Sequence, residues 1–321
     1  MKVRYLSAFI IASLATTAVA QDLATTKCPA GIAQDACQQA FDIYQFMAPQ
    51  LGLALTGGNA TAGQGGVLGG LGHVSVGIRV NGFRGKIPDI NNSAFQTSPG
   101  AAQRRTLPTT DEWVGLPTAD AAVGLFKGFP LGLSNVLGLD ALASVSYVPT
   151  LSQDDFSVSP SSNFQFGYGA RLGLLSESIV TPGISFTWLE RDLPTTDLVA
   201  NLSGASLSVT DTKVKTKAWR VVASKSLVMF SVAGGVGQDK YEQSAVVRGS
   251  FSGATAEAPG TSESLSRVNF FGDFAYNLPI LKIAAEIGHA TGGTVQTYNS
   301  FSGGRADQSY TYGSLGIRLS W

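Results

Sequence analysis

The sequence predicts an all-β fold, an antiparallel transmembrane β-barrel of about ten strands with a short N-terminal helix. Three observations carry that prediction. Stretches of alternating apolar and polar residues recur from residue 71 to the end of the chain. Charged residues make up only 14% of the 321 residues, against about 25% in typical soluble domains, while Gly reaches 38. No segment after the N-terminus has the ~18 unbroken apolar residues of a transmembrane helix, so a membrane can be crossed only by strands. Lys+Arg and Asp+Glu both number 22, so no net field draws the chain to nucleic acid.

The chain opens with Lys2 and Arg4 before an apolar run from Leu6 to Ala15, followed by Ala18-Val19-Ala20. That order reads as an export signal over residues 1–20, cleaved before Gln21. Thr25-Thr26-Lys27 ahead of Cys28 does not make a lipoprotein box, so no lipid anchor is expected. Residues 21–70 read as a periplasmic segment. Its two cysteines, Cys28 and Cys37, are expected to form a structural disulfide in an oxidising compartment, worth roughly 3 kcal/mol for so short a loop. Neither His lies near them, so no metal is expected there. Ala33, Ala36, Cys37, Ala40, Phe41, Tyr44, Met47 and Ala48 recur at helical spacing, and Pro49 is expected to end or kink that helix. The only charges on it are Asp35 and Asp42. Leu51 to Gly72 is a Gly-rich connector. With no strand before it and no GKS/GKT or GxGxxG-to-helix context after it, the connector is not a phosphate loop. No cofactor is expected.

Ten period-two segments follow. Leu71–Gly85 alternates Val74, Val76, Ile78 and Val80 with His73, Ser75, Arg79 and Asn81. The second, near 119–129, has an ambiguous phase, because Val123 and Leu125 argue one way and Phe126 the other. Leu139–Val148 and Asn163–Leu175 are clear. The fifth carries Val180, Ile184, Phe186 and Trp188, with Pro182 expected at a bulge or early-strand position. Lys213–Ser224, Leu227 to about Val247, Leu265–Tyr276 and Ile280–Thr291 lead to the last, Gln308–Trp321. The connections near 131–137, 176–178, 225–226 and 277–279 are short. Those near 86–118, 149–162, 193–212, 249–264 and 294–307 are long and rich in Ser, Thr, Gly and Pro. About twelve strands is the alternative count, if Ser206–Asp211 helps form a further hairpin.

Strict short/long alternation, with both ends of the barrel segment on the short side, is the pattern of bacterial outer-membrane barrels. From Leu71 to Trp321 the chain resembles that class. The terminal ladder Leu315, Ile317, Leu319 and Trp321 resembles the signal read by the barrel-assembly machinery, with Trp where Phe is usual. The resemblance implies an outer-membrane location, that machinery as an assembly partner, and contact with outer-membrane lipids including lipopolysaccharide. The Gly-rich lead-in resembles, weakly, the N-terminal segments of fatty-acid-transporter-like barrels. Those have more strands, and no ligand site is carried across from them.

Phase assigns Arg79, Arg171, Arg220, Arg267, Lys282 and Arg318 to the lumen, with Asp140, Asp273 and Glu286. A barrel this narrow is mostly filled by its own side chains. The expected contents are therefore an internal charge network, or else a narrow, weakly anion-preferring pore. A helix about 10–12 Å across is tight for about ten strands, so Ala33–Ala48 is expected on the periplasmic side rather than as a plug. Lys213, Lys215 and Lys217 share the outward phase of Trp219. They reach either outer-leaflet phosphates or a solvated rim above them. Trp188, Trp219, Tyr147, Tyr276 and Trp321 supply interfacial aromatics.

The two histidines, His73 low and by phase inside, His289 high and facing the rim, fall at opposite ends. No HExxH, GxSxG or Asp-His pair occurs, so no catalytic residue is assigned and no enzyme is expected. The functions left open are a structural barrel or narrow passive channel with a partly plugged lumen, a surface-binding barrel using its long loops, or a transporter of apolar solutes.

Overall fold

The structure, a computed structural model, describes residues 24–153 and 156–321. The export signal and its cleavage site lie outside the described residues. Among the described residues one α-helix, α1 (Gln34–Thr56), precedes the barrel. The barrel strands are β1 (Val74–Pro88), β2 (Thr109–Phe126), β3 (Gly138–Tyr147), β4 (Phe164–Leu175) and β5 (Gly183–Asp192). They continue as β6 (Ala205–Leu227), β7 (Phe230–Phe251), β8 (Ser262–Asn277), β9 (Leu281–Ala290) and β10 (Tyr310–Ser320). Each pairs antiparallel with the next, and β10 closes on β1, with Val76 opposite Leu319, Ile78 opposite Ile317 and Val80 opposite Leu315. No edge is left in the ring, as closure requires.

Side chains alternate across this wall. On β10, Leu315, Ile317 and Leu319 are exposed on the outer face while Tyr310, Tyr312, Ser314 and Arg318 are buried inside. The ambiguity of β2 has a local cause. Its register with β3 shifts between Gly124 and Phe126, so a bulge turns both Leu125 and Phe126 outward. The strand also starts earlier than the sequence suggests, at Thr109, because residues 109–117 pair with an extended β1. Pro182 falls just before β5 rather than within it.

The ring count stays at ten. Ser206–Asp211 does pair in a hairpin, with Thr196–Leu202, but as the upper part of β6. β6 and β7, 23 and 22 residues long, run roughly 75 Å along the strand, twice what a crossing takes. Their upper halves therefore stand above the ring. The hairpin, residues 156–160 and Ala254–Ala258 widen that projection into a vestibule wall.

The N-terminal segment corrects the sequence reading most. α1 does not lie under the barrel. It enters from the long-loop end and descends inside the vestibule, with Asp35, Ala36, Cys37, Gln38 and Gln39 already buried at its top. Nor does Pro49 end it: the helix runs on to Thr56. The turn beside Pro49 is tied to the wall by the next residue, where Gln50 Nε2 donates to Phe46 O at 3.2 Å and to Lys86 O at 2.9 Å. Space is made by glycine. A Cβ on Gly249 of β7 would fall 2.1 Å from Cys37 N, and one on Gly52 would fall 2.7 Å from the Tyr241 ring. The two narrow points that make a plug tight are thus relieved from opposite sides. Residues 57–70 then pass down the lumen to the start of β1.

Candidate functional site

The lumen has two storeys. Around the upper part of α1 the walls are apolar. Ala40, Phe41, Tyr44 and Phe46 bury against Leu207, Val209 and Val247 of β6 and β7, and against Phe95, Leu107 and Phe301 of the long loops. Phe46 stacks on Phe301 with ring centroids 3.9 Å apart. Cys28 and Cys37 form the expected disulfide, with Cα atoms 5.9 Å apart, and it staples the incoming chain to the first turn of α1.

Both helix acids act as anchors for loops. Asp35 accepts from Ser98 N at 2.7 Å and Gln103 N at 3.0 Å, and pairs with Arg105 at 3.1 Å. Asp42 accepts from Tyr298 N, Asn299 N and Asn299 Nδ2 at 2.7–2.9 Å. Burial still dominates, pushing the Asp42 carboxyl up to about 6. The two loops also meet each other, Ser300–Phe301 pairing in parallel with Thr106–Leu107. These long loops are therefore a folded crown over the vestibule rather than free arms.

Around the foot of α1 the walls become charged, and after Thr56 the plug loses its helix. The wall cations hold plug carbonyls. Arg191 Nη1 donates to Leu55 O at 3.2 Å, Arg220 to Thr56 O, and Arg79 Nη1 to Gly57 O at 2.8 Å. Lys282 Nζ lies 3.2 Å from Gly63 O, and Arg318 Nη2 donates to Gln64 Oε1 at 2.8 Å. The wall carboxylates hold plug amides. Glu286 accepts from Asn59 N at 2.8 Å, Asp273 from Gly63 N at 3.4 Å, and Asp140 from Leu68 N at 3.1 Å. Several wall charges also answer one another, while Lys282, Arg318 and Asp273 take their hydrogen bonds from the plug. Arg171 donates to Asp140 at 2.6 and 2.9 Å, and Asp120 accepts from Arg79 at 2.5 Å and Arg191 at 3.2 Å. An unpaired charge here would cost several kcal/mol, so the network is a condition of folding as well as a feature of the lumen.

Glycine sets the path of this lower plug. Gly63, at φ +71°, would place a Cβ 2.5 Å from the Ala275 Cβ, and Gly65 would place one 2.7 Å from the Ser224 backbone. A side chain at either position would push the connector off the wall.

Of the residues singled out from sequence, Arg79, Arg171, Arg220, Arg267, Asp273, Glu286 and Arg318 are buried inside, and Lys282 is partly buried there. The lower plug joins all of them except Arg267, which sits higher and donates to Ala306 O and Gln308 O of the crown. Sequence reading missed Asp120, Arg191 and Asp239, all buried inside. Arg191 and Asp239 lie in the phase opposite to Trp188 and Gln238 and were findable by extending each strand upward. Asp120 lies on the strand whose phase the bulge obscured. His73 is exposed just before β1 with its ring near Gly70 O, not in the lumen, and His289 is exposed on the outer face beside Thr311. Lys213, Lys215 and Lys217 are exposed on the outside of β6.

No family model matches the chain, and no curated protein does. Solved structures of outer-membrane proteins align with the chain at low similarity. The attachment invasion locus protein Ail of Yersinia pestis is 11% identical over 78% of this chain and 99% of its own, with TM-score 0.21. The Ralstonia pickettii toluene transporter TbuX is 13% identical over 83% and 92%, with TM-score 0.29. The Pseudomonas aeruginosa outer membrane protein OpdK is 9% identical over 78% and 99%, with TM-score 0.19. At these values no site, ligand or activity is carried across.

Proposed function

We propose that this protein is an outer-membrane barrel closed at rest by its own N-terminal segment, and that it passes small solutes only when the Gly-rich lower plug leaves the wall. The observation behind this reading is the change in attachment along the plug. The helix is fixed by apolar packing, a disulfide and two buried carboxylates. Residues 57–70 are fixed mainly by hydrogen bonds that water and counter-ions can replace, with a small apolar contact where Ala60 and Leu68 meet Ala122, Leu142 and Leu189. Segments with few apolar contacts open at lower cost than packed ones. The lumen cations outnumber its carboxylates, so an opened path favours anions.

Single-channel recording tests the proposal. Wild-type protein is expected to be silent, or to open briefly. Gln64→Ala, which removes the acceptor for Arg318, should give frequent anion-selective steps. Silence in both would remove the channel and leave a structural barrel. The crown supports a second reading. It joins the disulfide loop, residues 89–108 and residues 291–307 into one rigid surface, suited to binding a partner outside the cell. Residues 34–42 and their loop anchors would then matter for binding while Gln64 would not.

A further inference from the structure

Two rows of residues cross the inner face of the barrel where the ring closes. One runs Ala284, Gly316, Arg79 and Thr118 over β9, β10, β1 and β2. The row below it runs Lys282, Arg318, Gly77 and Asp120. Arg79 and Arg318 are therefore diagonal neighbours across the closing seam, a relation that sets backbones about 7–8 Å apart. Each stands opposite a glycine that has no room for a side chain. A Cβ on Gly316 would fall 2.9 Å from the Arg79 Cβ, and one on Gly77 would fall 2.7 Å from Ile317 O.

Only one of the two arginines is answered by a carboxylate. Asp120 accepts from Arg79 Nε at 2.5 Å and lies 3.2 Å from Arg191. Among the described residues, Arg318 has no carboxylate within 4.0 Å. Its hydrogen bond goes to a neutral acceptor, Gln64 Oε1, although its exposure is only 8%. A buried guanidinium with no counter-charge costs several kcal/mol.

Against the two glycines lies a cavity of about 30 Å³, between the wall residues Arg79, Arg318 and Asp120 and the plug residues Asn59, Ala60 and Ala62. Donors gather at it. Arg79 Nη2, Arg318 Nε and Nη1, and Asn59 Nδ2 are all buried and make no hydrogen bond within the protein. Asn59 Oδ1 accepts from Thr61 N at 3.3 Å, which leaves the amide nitrogen as the free end. Asp120, the one carboxylate of the lining, is already held by two arginines. Glu286, which accepts from Asn59 N at 2.8 Å, lies 3.8 Å from Arg220.

We infer that this cavity binds a small inorganic anion of halide size, which ties β1, β10 and the plug together at one point. The anion accepts from Arg79, Arg318 and Asn59, and charge-assisted bonds of this kind are the strong ones. One negative charge cancels the one that Arg318 leaves over, which a water molecule in the same space cannot do. The room suffices for one such ion. The site belongs to the closed barrel and holds whether or not the lower plug ever leaves the wall.

The test is made on purified full-length protein in detergent, at fixed ionic strength, as sodium gluconate is exchanged for sodium chloride or bromide. A ligand bound only by the folded state raises the Tm with its concentration. The Tm of wild type should rise and saturate with either halide. Arg318→Gln should raise the half-saturating concentration roughly tenfold or more, the loss of one charged hydrogen bond. Arg248→Gln, which removes an exposed cation of the vestibule wall, should leave it unchanged. An equal halide response in wild type and Arg318→Gln, or none in wild type, overturns the site. Crystals of wild type grown in bromide decide the matter even where Arg318→Gln does not fold. An anomalous peak beside Arg79, Arg318 and Asn59 is expected, and density there without anomalous signal would make the occupant water and overturn the inference.

Discussion

The two halves of the plug are continuous in sequence, pass through one barrel, and are held by opposite means. The upper half buries Phe41, Tyr44 and Phe46 in an apolar core and is stapled by Cys28–Cys37. The lower half, from Gly57, buries little apolar surface and donates or offers its backbone to wall charges at Arg79, Asp140, Asp273, Lys282 and Glu286. Apolar contact is lost all at once, when the surfaces part. A hydrogen bond from a guanidinium to a carbonyl, worth about 1.5–3 kcal/mol, can be exchanged one at a time for a bond to water. One half is built to stay and the other can leave.

Truncating the upper half should have the largest effect. Phe46→Ala removes a fully buried ring stacked on Phe301 and should cost about 3–5 kcal/mol. Hydrogen exchange should then speed up in residues 34–56 and in the crown at 291–307 together. Acceleration confined to the helix would show that the crown stands without it. Replacing both cysteines by Ser should cost roughly 2–4 kcal/mol and loosen the same elements while leaving exchange in residues 57–70 unchanged.

A smaller change in the lower half should have the opposite distribution. Gly63→Ala adds a Cβ against Ala275 at a positive φ, for about 1–3 kcal/mol. It should raise exchange and conductance through residues 57–70 and leave 34–52 protected. Equal loosening of both halves would mean the plug moves as one body, and the contrast would fail.

The finest test is pH. The folded Asp42 carboxyl is raised to about 6 from 3.8, so its contribution to stability is full below about 3.8 and is lost as pH rises through 6. Lowering pH from 7 to 5 should therefore strengthen the upper half by about 1 kcal/mol. The Asp42 side-chain carbon signal should titrate near 6. A midpoint near 4 would show that its hydrogen bonds outweigh its burial.

The barrel was legible because lipid on one side and packed side chains on the other impose a two-residue period. That is why Leu315, Ile317 and Leu319 announce their face without further help. The plug was not legible because its helix obeys no such contrast. Gln38, Gln39, Gln45 and Gln50 are buried along with Ala36 and Phe46, each side chain making at least one hydrogen bond to the walls, the loops or the helix itself. An amphipathic pattern locates one apolar face and says nothing of a helix enclosed all round. The glycines that admit it, Gly52 and Gly249, are far apart in the chain, and their match appears only in three dimensions. The lumenal charges were readable by phase, except Asp120, where a bulge at Leu125 shifts the alternation.

The path of the N-terminal segment has a consequence for the order in which the molecule is put together. Residues 24–33 lie at the long-loop end, while Val74 begins β1 at the other, so the chain passes once through the whole ring before forming any of it. A helix buried on every side, headed by a disulfide loop, has no free passage through a barrel already closed and packed. The seam between β1 and β10 must therefore be the last to shut, around a core already in place. The N-terminal segment is then a mandrel on which the sheet is wound, and the final strand is the clasp.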